Sequence, residues 1–313
     1  MKRISEFICT IKAHQGKKAL GKALSVSVLN QMVSSGTNFA LGIYLVRMLP
    51  PEEFGLYGIG FAISLFYGGM GTAIFLTQMI VHTPNKAQQD RLPYAGRVLL
   101  LVVLFCAATA LLTTLILLTS SMVWEFMDKH MGFAFAVLAA SVGYLLKDFF
   151  VRHAYNVRRE IWALAIHSII ACIMALILLG MHLKFSTLLS VEMALWIYAV
   201  AQASGAILGY LFAKLPVAAH QRSALLADLR EAWHGGKWAS ITILVYFVRT
   251  QAHTIVVASL LGPVGLAKLN AARLLVTPAV MLIPALGQVA MPRLAAARGQ
   301  DVRHLMSLGR WIT

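Results

Sequence analysis

The chain has 313 residues, of which 59% are hydrophobic and only 12% are charged. A chain of this length and composition has too little polar surface to cover a water-soluble globule, so a soluble domain is excluded. The net charge of +15 raises the question of nucleic-acid binding, but the basic residues border apolar runs and form no nucleic-acid recognition motif. The sequence predicts an all-α integral membrane protein with no nucleic-acid partner.

About eight apolar runs are long enough to cross a bilayer as helices, which takes about 20 residues each. They occupy residues 24–48, 54–81, 96–118, 131–150, 161–181, 192–212, 238–261 and 266–291. The first run follows a basic segment, as in a signal peptide, but it is longer and ends without a cleavage pattern. We interpret it as an uncleaved anchor.

Basic residues fall almost entirely in alternate gaps between these runs. One side has Lys2, Arg3, Lys12, Lys17, Lys18, Lys22, Lys86, Arg91, Arg97, Lys147, Arg152, Arg158, Arg159, Lys214, Arg222, Arg230, Lys237, Arg293, Arg298, Arg303 and Arg310. The other side has only Arg47, Lys129, Lys184, Lys268 and Arg273. The positive-inside rule therefore predicts that both termini are cytoplasmic, in the cytoplasmic (inner) membrane of a bacterium, with anionic lipids near the basic side.

Two connecting turns are similar to each other and indicate an internal repeat. Residues 49–57 read LPPEEFGLY and residues 261–266 read LGPVGL, and Gly96-Arg97 has a later counterpart in Gly309-Arg310. Six runs separate the copies, so both enter the membrane in the same direction, as in the parallel repeats of secondary transporters. The alternative is coincidence between short turns rich in leucine, proline and glycine.

The repeat predicts a division of the chain into four parts. Residues 1–23 form a cytoplasmic tail, 24–215 a six-helix lobe, 216–237 a cytoplasmic linker and 238–313 the start of a parallel second lobe. A full second lobe needs about four further spans. We therefore expect a truncated reading frame or a fragment.

The segment from Ser34 to Tyr57, the second turn with Asn270-Ala271-Ala272-Arg273-Leu274, and residues 155–159 together carry a family resemblance. They resemble the polysaccharide-transporter flippases of the multidrug/oligosaccharidyl-lipid/polysaccharide exporter superfamily. Pro50 stands where that family usually has glycine. The resemblance implies a flippase that moves polyprenyl-pyrophosphate-linked oligosaccharide across the membrane for surface polysaccharide biosynthesis, with an ion gradient as the coupling force.

Arg249 lies near the middle of the seventh run, too deep to reach the interface easily. Thr242, Tyr246, Arg249 and His253 recur at steps of four, three and four, so a helix places them on one face. We expect no Asp or Glu deep in any span to neutralise this arginine. A guanidinium in that setting suits the phosphate oxygens of an anionic substrate, although a purely structural contact with water, headgroups or a carbonyl is equally open.

The first run carries a second polar stripe that includes Gln31, Ser34 and Asn38. Hydrogen bonding between helices is the favoured explanation, and lining of a substrate cavity is the alternative. Arg47 and Arg273 lie at the outer ends of their spans, where snorkelling to the interface is favoured over receiving a pyrophosphate at an outer gate.

Helix breakers occupy corresponding positions of the two copies and predict hinges. They are Gly68, Gly69 and Gly71 in the second run, and Pro278 and Pro284 in the eighth. Breaks of this kind often mark the site or the hinge of a transporter, whereas close packing by small residues is the alternative for the glycines.

Three other functional classes remain open alongside the flippase. A drug or cation exporter of the same superfamily is expected to carry a buried acidic residue. A polytopic glycosyltransferase or polymerase needs acid–base residues in a larger outer loop. An inactive fragment, or a membrane partner of other polysaccharide-assembly proteins, is the third. We expect no catalytic residue, no metal site and no cofactor, because the histidines do not cluster at ligand spacing.

Overall fold

A computed structural model describes residues 2–121, 131–184, 189–216 and 222–280, and these are helical with short connections. The helices are α1 (Lys2–Met48), α2 (Pro51–Gly71), α3 (Thr77–His82), α4 (Arg91–Ser121), α5 (Met131–Asn156), α6 (Glu160–Lys184), α7 (Val191–Ala213) and α8 (Arg222–Val280). A π-helical turn, Thr72–Leu76, joins α2 to α3, and the 3₁₀ turns Thr83–Asn85 and Gln88–Asp90 lead into α4.

Helix α5 forms the centre of the lobe together with α7. Small residues let the two backbones approach, because a Cβ atom on Gly209 of α7 would collide with Phe150 of α5. Tyr198 and Leu195 of α7 and Phe149 of α5 are among the largest fully buried side chains. Close contact at small residues is the usual way in which helices associate within a bilayer, where hydrophobic burial provides little driving force.

The two ends of the lobe differ in charge. At the basic end, Glu231 of α8 accepts from Lys86 at 3.0 Å and lies 3.1 Å from His82 Nδ1, while Arg97 pairs with Asp228. At the opposite end, the carboxylate of Glu53 accepts a hydrogen bond of 2.7 Å from the backbone N–H of Val191, the first residue of α7. An anion at a helix N-terminus is stabilised by unpaired N–H groups and by the helix dipole.

Helix α8 runs antiparallel to the rod formed by α2, the π-helical turn and α3. Gly236 lies against Ile74, Gly69 against Ile243, and Gly55 against Pro263. Two segments of α8, Ser223–Ala252 and Val256–Leu274, meet at an angle of 51°. Within the second segment Gly262 has φ 69° and ψ −174°, a conformation that glycine adopts readily and other residues do not.

The structure confirms an all-α fold with several membrane-spanning helices. Within the described residues, five helices are long and apolar enough to cross a bilayer, and the bent pair in α8 makes a sixth candidate. Helix α1 contains the first predicted span but is not in this set, because polar residues interrupt its apolar run. The predicted divisions at 23/24 and 237/238 fall inside α1 and α8, so neither coincides with a helix end.

Candidate functional site

Arg249 lies at the middle depth of the lobe. The ring of Phe247, two residues earlier on α8, packs 4.6 Å from the ring of Phe66. Phe66 is midway between Pro51 and His82, the two ends of the α2–α3 rod. The Arg249 side chain is exposed and forms no ion pair within the described part of the chain.

Two other members of the predicted α8 stripe share this exposed face. Tyr246 is 59% exposed, and Thr242 is exposed with its hydroxyl donating to the Trp238 carbonyl at 3.2 Å. The side chain of His253 lies outside the described side chains. The face of α8 that carries Thr242, Tyr246 and Arg249 is therefore not covered by α2.

The polar face of α1 divides along its length. Towards the basic end, Ser27 and Asn30 are fully buried. Asn30 Nδ2 donates to the Tyr155 hydroxyl at 3.0 Å, and that hydroxyl donates to Ser27 Oγ at 3.1 Å. His167 Nδ1 lies 2.7 Å from Asn30 Oδ1. This chain of hydrogen bonds joins α1, α5 and α6, so these residues hold helices together.

The remaining predicted residues of α1 are more open. Gln31 and Ser34 are half-buried and Asn38 is exposed, and Gln31 donates locally to Ser35 Oγ at 2.8 Å. No interhelical hydrogen bond accounts for them within the described side chains, so lining of a cavity stays a prediction for Gln31, Ser34 and Asn38.

Arg47 and Arg273 are both exposed and lie at the end of the lobe opposite to the basic end. Arg47 is in the last turn of α1, and Gly42 of the same helix lies against Leu274, which follows Arg273. The structure thus brings together the two segments that carry these arginines, and both the snorkelling and the gate interpretations stay predictions.

The predicted hinge glycines lie next to an irregular backbone. Gly71 directly precedes the π-helical turn, and Gly68 and Gly71 pack closely against Tyr144 and Leu145 of α5. Such π-helical insertions are frequent at functional sites. Gly69 faces Ile243 of α8.

In α8 the bend lies between Ala252 and Val256, and the only described glycine with a positive φ is Gly262. Pro278 is within the described backbone of α8 but its side chain is not described, and Pro284 lies outside the described residues. The hinge role of both prolines stays a prediction.

The expectation that no acidic residue lies deep in a span is wrong. Asp148 lies two turns inside α5, where its Oδ2 accepts from Arg152 Nε at 2.7 Å and from Thr72 Oγ1 at 3.1 Å. Lys147 is 6% exposed, and its ammonium lies 4.4 Å from the centroid of the Tyr144 ring. We call Thr72, Tyr144, Lys147, Asp148 and Arg152 the charged cluster.

The charged cluster was missed because hydropathy falls where charges begin. The predicted span stopped at residue 150, and Lys147 and Arg152 were both counted with the cytoplasmic gap, whereas the helix continues to Asn156. The spacing of Asp148 and Arg152, four residues apart, is the signal that predicts an ion pair on a helix.

Deep in the described lobe, positive charge exceeds negative charge. Arg152 pairs with Asp148, Lys147 forms no ion pair in the described residues, and Arg249 adds a further cation. Charges within a bilayer are costly, so an excess of one sign marks a path or a site for the opposite sign. Within the described residues no group of His, Cys, Asp or Glu has the arrangement of a metal site.

Comparisons with known proteins identify the fold. A mutant of the MATE transporter VcmN from Vibrio cholerae superposes with a TM-score of 0.68 at 14% identity, covering 94% of this chain and 68% of that one. A MOP superfamily transporter from Pyrococcus furiosus, described as having a binding pocket of reverse polarity, gives 0.67 at 16% identity, with 95% and 68% covered. An outward-facing multidrug resistance MATE transporter also gives 0.67 at 16%, with 95% and 69% covered.

No curated protein matches the chain. The model of the polysaccharide biosynthesis protein family, however, matches residues 20–297, which is most of the sequence. This agrees with the expected superfamily and with the multi-pass helical fold. The chain belongs to the polysaccharide biosynthesis protein family, and its fold is similar to that of MATE transporters of the MOP superfamily.

Proposed function

We propose that the protein is a flippase for polyprenyl-pyrophosphate-linked oligosaccharide in the bacterial cytoplasmic membrane, with its basic end in the cytoplasm. The observation that carries this proposal is Arg249, a cation at the middle depth of the lobe without a carboxylate partner in the described residues. Membership of a polysaccharide biosynthesis family supports a glycan-linked substrate.

The chemistry required of a flippase is binding and release, without bond formation. The planar guanidinium of Arg249 can donate two parallel hydrogen bonds to a pyrophosphate, and this interaction strengthens where water is excluded. Tyr246 and Thr242 on the same face supply hydroxyl groups for the sugar. The polyprenyl tail stays in lipid, and other polysaccharide-assembly membrane proteins supply and receive the substrate.

A drug or cation exporter of the same superfamily is a second candidate, and Asp148 is the observation that favours it. A buried carboxylate is suited to binding a cation. In this lobe, however, Asp148 already contacts Arg152 and lies beside Lys147, so its charge is compensated. The net positive charge of the cluster favours an anionic cargo.

The test is a flipping assay in proteoliposomes that contain the purified protein and a fluorescent polyprenyl-pyrophosphate oligosaccharide. Transfer between leaflets is followed with a quencher that cannot cross the membrane. We expect Arg249→Gln to slow transfer at least tenfold and Arg249→Lys to retain part of the rate, because lysine keeps the charge but not the fork. Arg230→Gln, on the same helix at the basic end, is the matched control and retains the rate.

Equal rates in Arg249→Gln and the wild type would remove Arg249 from the substrate path. The wild-type protein could instead move no lipid-linked glycan and export a cationic dye in an Asp148-dependent manner. That result would overturn the flippase proposal in favour of the exporter.

A further inference from the structure

A cavity of 590 Å³ opens at the basic end of the lobe, between the α3–α4 connection and the end of α5. Its polar lining consists of Thr83, Gln88, Arg91, His153, Asn156 and Arg158. This volume is within the range of small-molecule sites. The cavity lies far from Arg249, which is at mid-depth, so it is separate from the proposed substrate path.

Three described cations at this end have carboxylate partners, whereas the two arginines of the cavity do not. Lys86 pairs with Glu231, Arg97 with Asp228, and Arg152 with Asp148. Arg91 and Arg158 form no ion pair in the described part of the chain. Glu231, Asp228 and Asp148 are thus engaged elsewhere, and the lining of the cavity includes two arginines and no carboxylate.

The guanidinium of Arg91 is held in place by backbone carbonyl groups. Its Nε donates to the carbonyl of Lys86 and its Nη2 to that of Pro84, both at 3.2 Å. An arginine has five N–H donors, so these two bonds orient the group and leave others for a ligand. A side chain that is already oriented loses less entropy when it binds an anion.

Arg158 occupies a backbone position that glycine normally fills. It follows the last turn of α5 with φ 58°, and its N–H and that of Arg159 donate to the Tyr155 and Ala154 carbonyls. This is the left-handed helix end at which glycine is favoured and a side chain is strained. From this position the side chain of Arg158 lines the cavity.

The floor of the cavity carries a polar atom without a partner. His153 is 3% exposed, its ring stacks on Phe149, and its Nδ1 makes no hydrogen bond in the described structure. Buried polar atoms are nearly always satisfied, so this unpartnered nitrogen has hydrogen-bonding capacity available to a ligand or a bound water. The carboxamide of Asn156 lies in the same wall.

We propose that this cavity binds a phosphoryl anion, with Arg91 and Arg158 contacting the phosphate oxygens and His153 and Asn156 hydrogen-bonding to the bound group. Guanidinium groups suit phosphate because their forked donors match two oxygens. The anion is either free phosphate or pyrophosphate, or the headgroup of an anionic lipid, since the cavity opens at the level where the helices leave the apolar region.

The experiment measures binding of labelled inorganic pyrophosphate to the full chain in neutral phosphatidylcholine nanodiscs. We expect Arg91→Gln and Arg158→Gly each to weaken binding at least tenfold. Arg159→Gln is the matched control. Arg159 is in the same turn, but its guanidinium lies 4.7 Å from the Trp162 ring and does not line the cavity, so binding should change less than twofold.

Arg158→Gly also separates binding from folding. Glycine relieves the left-handed strain, so the midpoint of thermal unfolding should not fall although binding is lost. Unfolding of this variant at a lower temperature would contradict the assignment of strain. Absence of wild-type binding, or equal losses in all three variants, would overturn the proposed site.

Added phosphatidylglycerol distinguishes the two sources of the anion. Loss of pyrophosphate binding with this lipid assigns the site to a lipid headgroup, and undiminished binding assigns it to a free anion, and either result supports the proposal. The measurement involves no transport, so its outcome is independent of the flipping assay on Arg249.

Discussion

Arg152 and Arg249 are the same residue type within membrane-spanning segments, but their surroundings differ. Arg152 is held in the charged cluster, with Asp148 at 2.7 Å and Lys147 on the preceding turn. Arg249 is exposed on α8 and has no carboxylate partner in the described residues. An arginine with a buried partner contributes mainly to the architecture of the lobe, whereas one without a partner is available to a ligand.

The largest expected effect comes from removing the partner of Arg152. Asp148→Asn keeps the shape and one side-chain oxygen but removes the negative charge beside Lys147 and Arg152, at a cost of about 3–5 kcal/mol. We expect the midpoint of thermal unfolding in detergent to fall by about 6 °C or more. Asp90→Asn, at an exposed carboxylate, is the control and should leave it unchanged. Equal midpoints for the two variants would show that the cluster is not structural.

An intermediate effect is expected where α8, the helix of Arg249, meets α2. A Cβ atom on Gly55 collides with the backbone of Pro263, so Gly55→Ala forces the helices apart at a cost of about 1–3 kcal/mol. Gly36→Ala is the matched control, because no atom lies within 4 Å of its added Cβ and alanine favours the helix. The midpoint of thermal unfolding should fall for Gly55→Ala and rise for Gly36→Ala. A stabilised Gly55→Ala protein would mean that α8 does not dock on α2 as described.

The smallest expected effect on stability comes from Arg249 itself. Since its side chain is exposed, Arg249→Gln should shift the unfolding midpoint by less than about 2 °C, even though the flipping rate falls. A destabilisation as large as that of Asp148→Asn would show that Arg249 is structural like Arg152, and would contradict the difference proposed between these two arginines.

Much of the fold could be predicted from the sequence because long apolar runs must form helices in lipid. The helices that contain runs two to six agree with the described spans, and the superfamily could be inferred from the turn at residues 49–57. The end of α5 could not be predicted from the sequence, because Lys147 and Asp148 lower the hydropathy while the helix continues through them. The charge of Asp148 is tolerated there because its carboxylate accepts hydrogen bonds from Arg152 and from Thr72 of the π-helical turn.

The α1 stripe shows the same limit on prediction. Ser27, Asn30, Ser34 and Asn38 have similar chemistry, and their spacing predicts only that they share a side of one helix. The neighbouring helices decide which of them are covered, since Tyr155 and His167 reach Ser27 and Asn30 but Asn38 stays exposed.

The sequence by itself determined the membrane environment, the helical architecture and the family, because these depend on composition, on runs of apolar residues and on local turns. Tertiary structure alone decided which charges are compensated and which are open to a ligand. Compensation depends on atoms brought within about 3 Å from distant parts of the chain. Thr72 with Asp148 and Arg97 with Asp228 are such pairs, whereas Arg91 and Arg158 meet at one cavity without a counter-ion in the described residues.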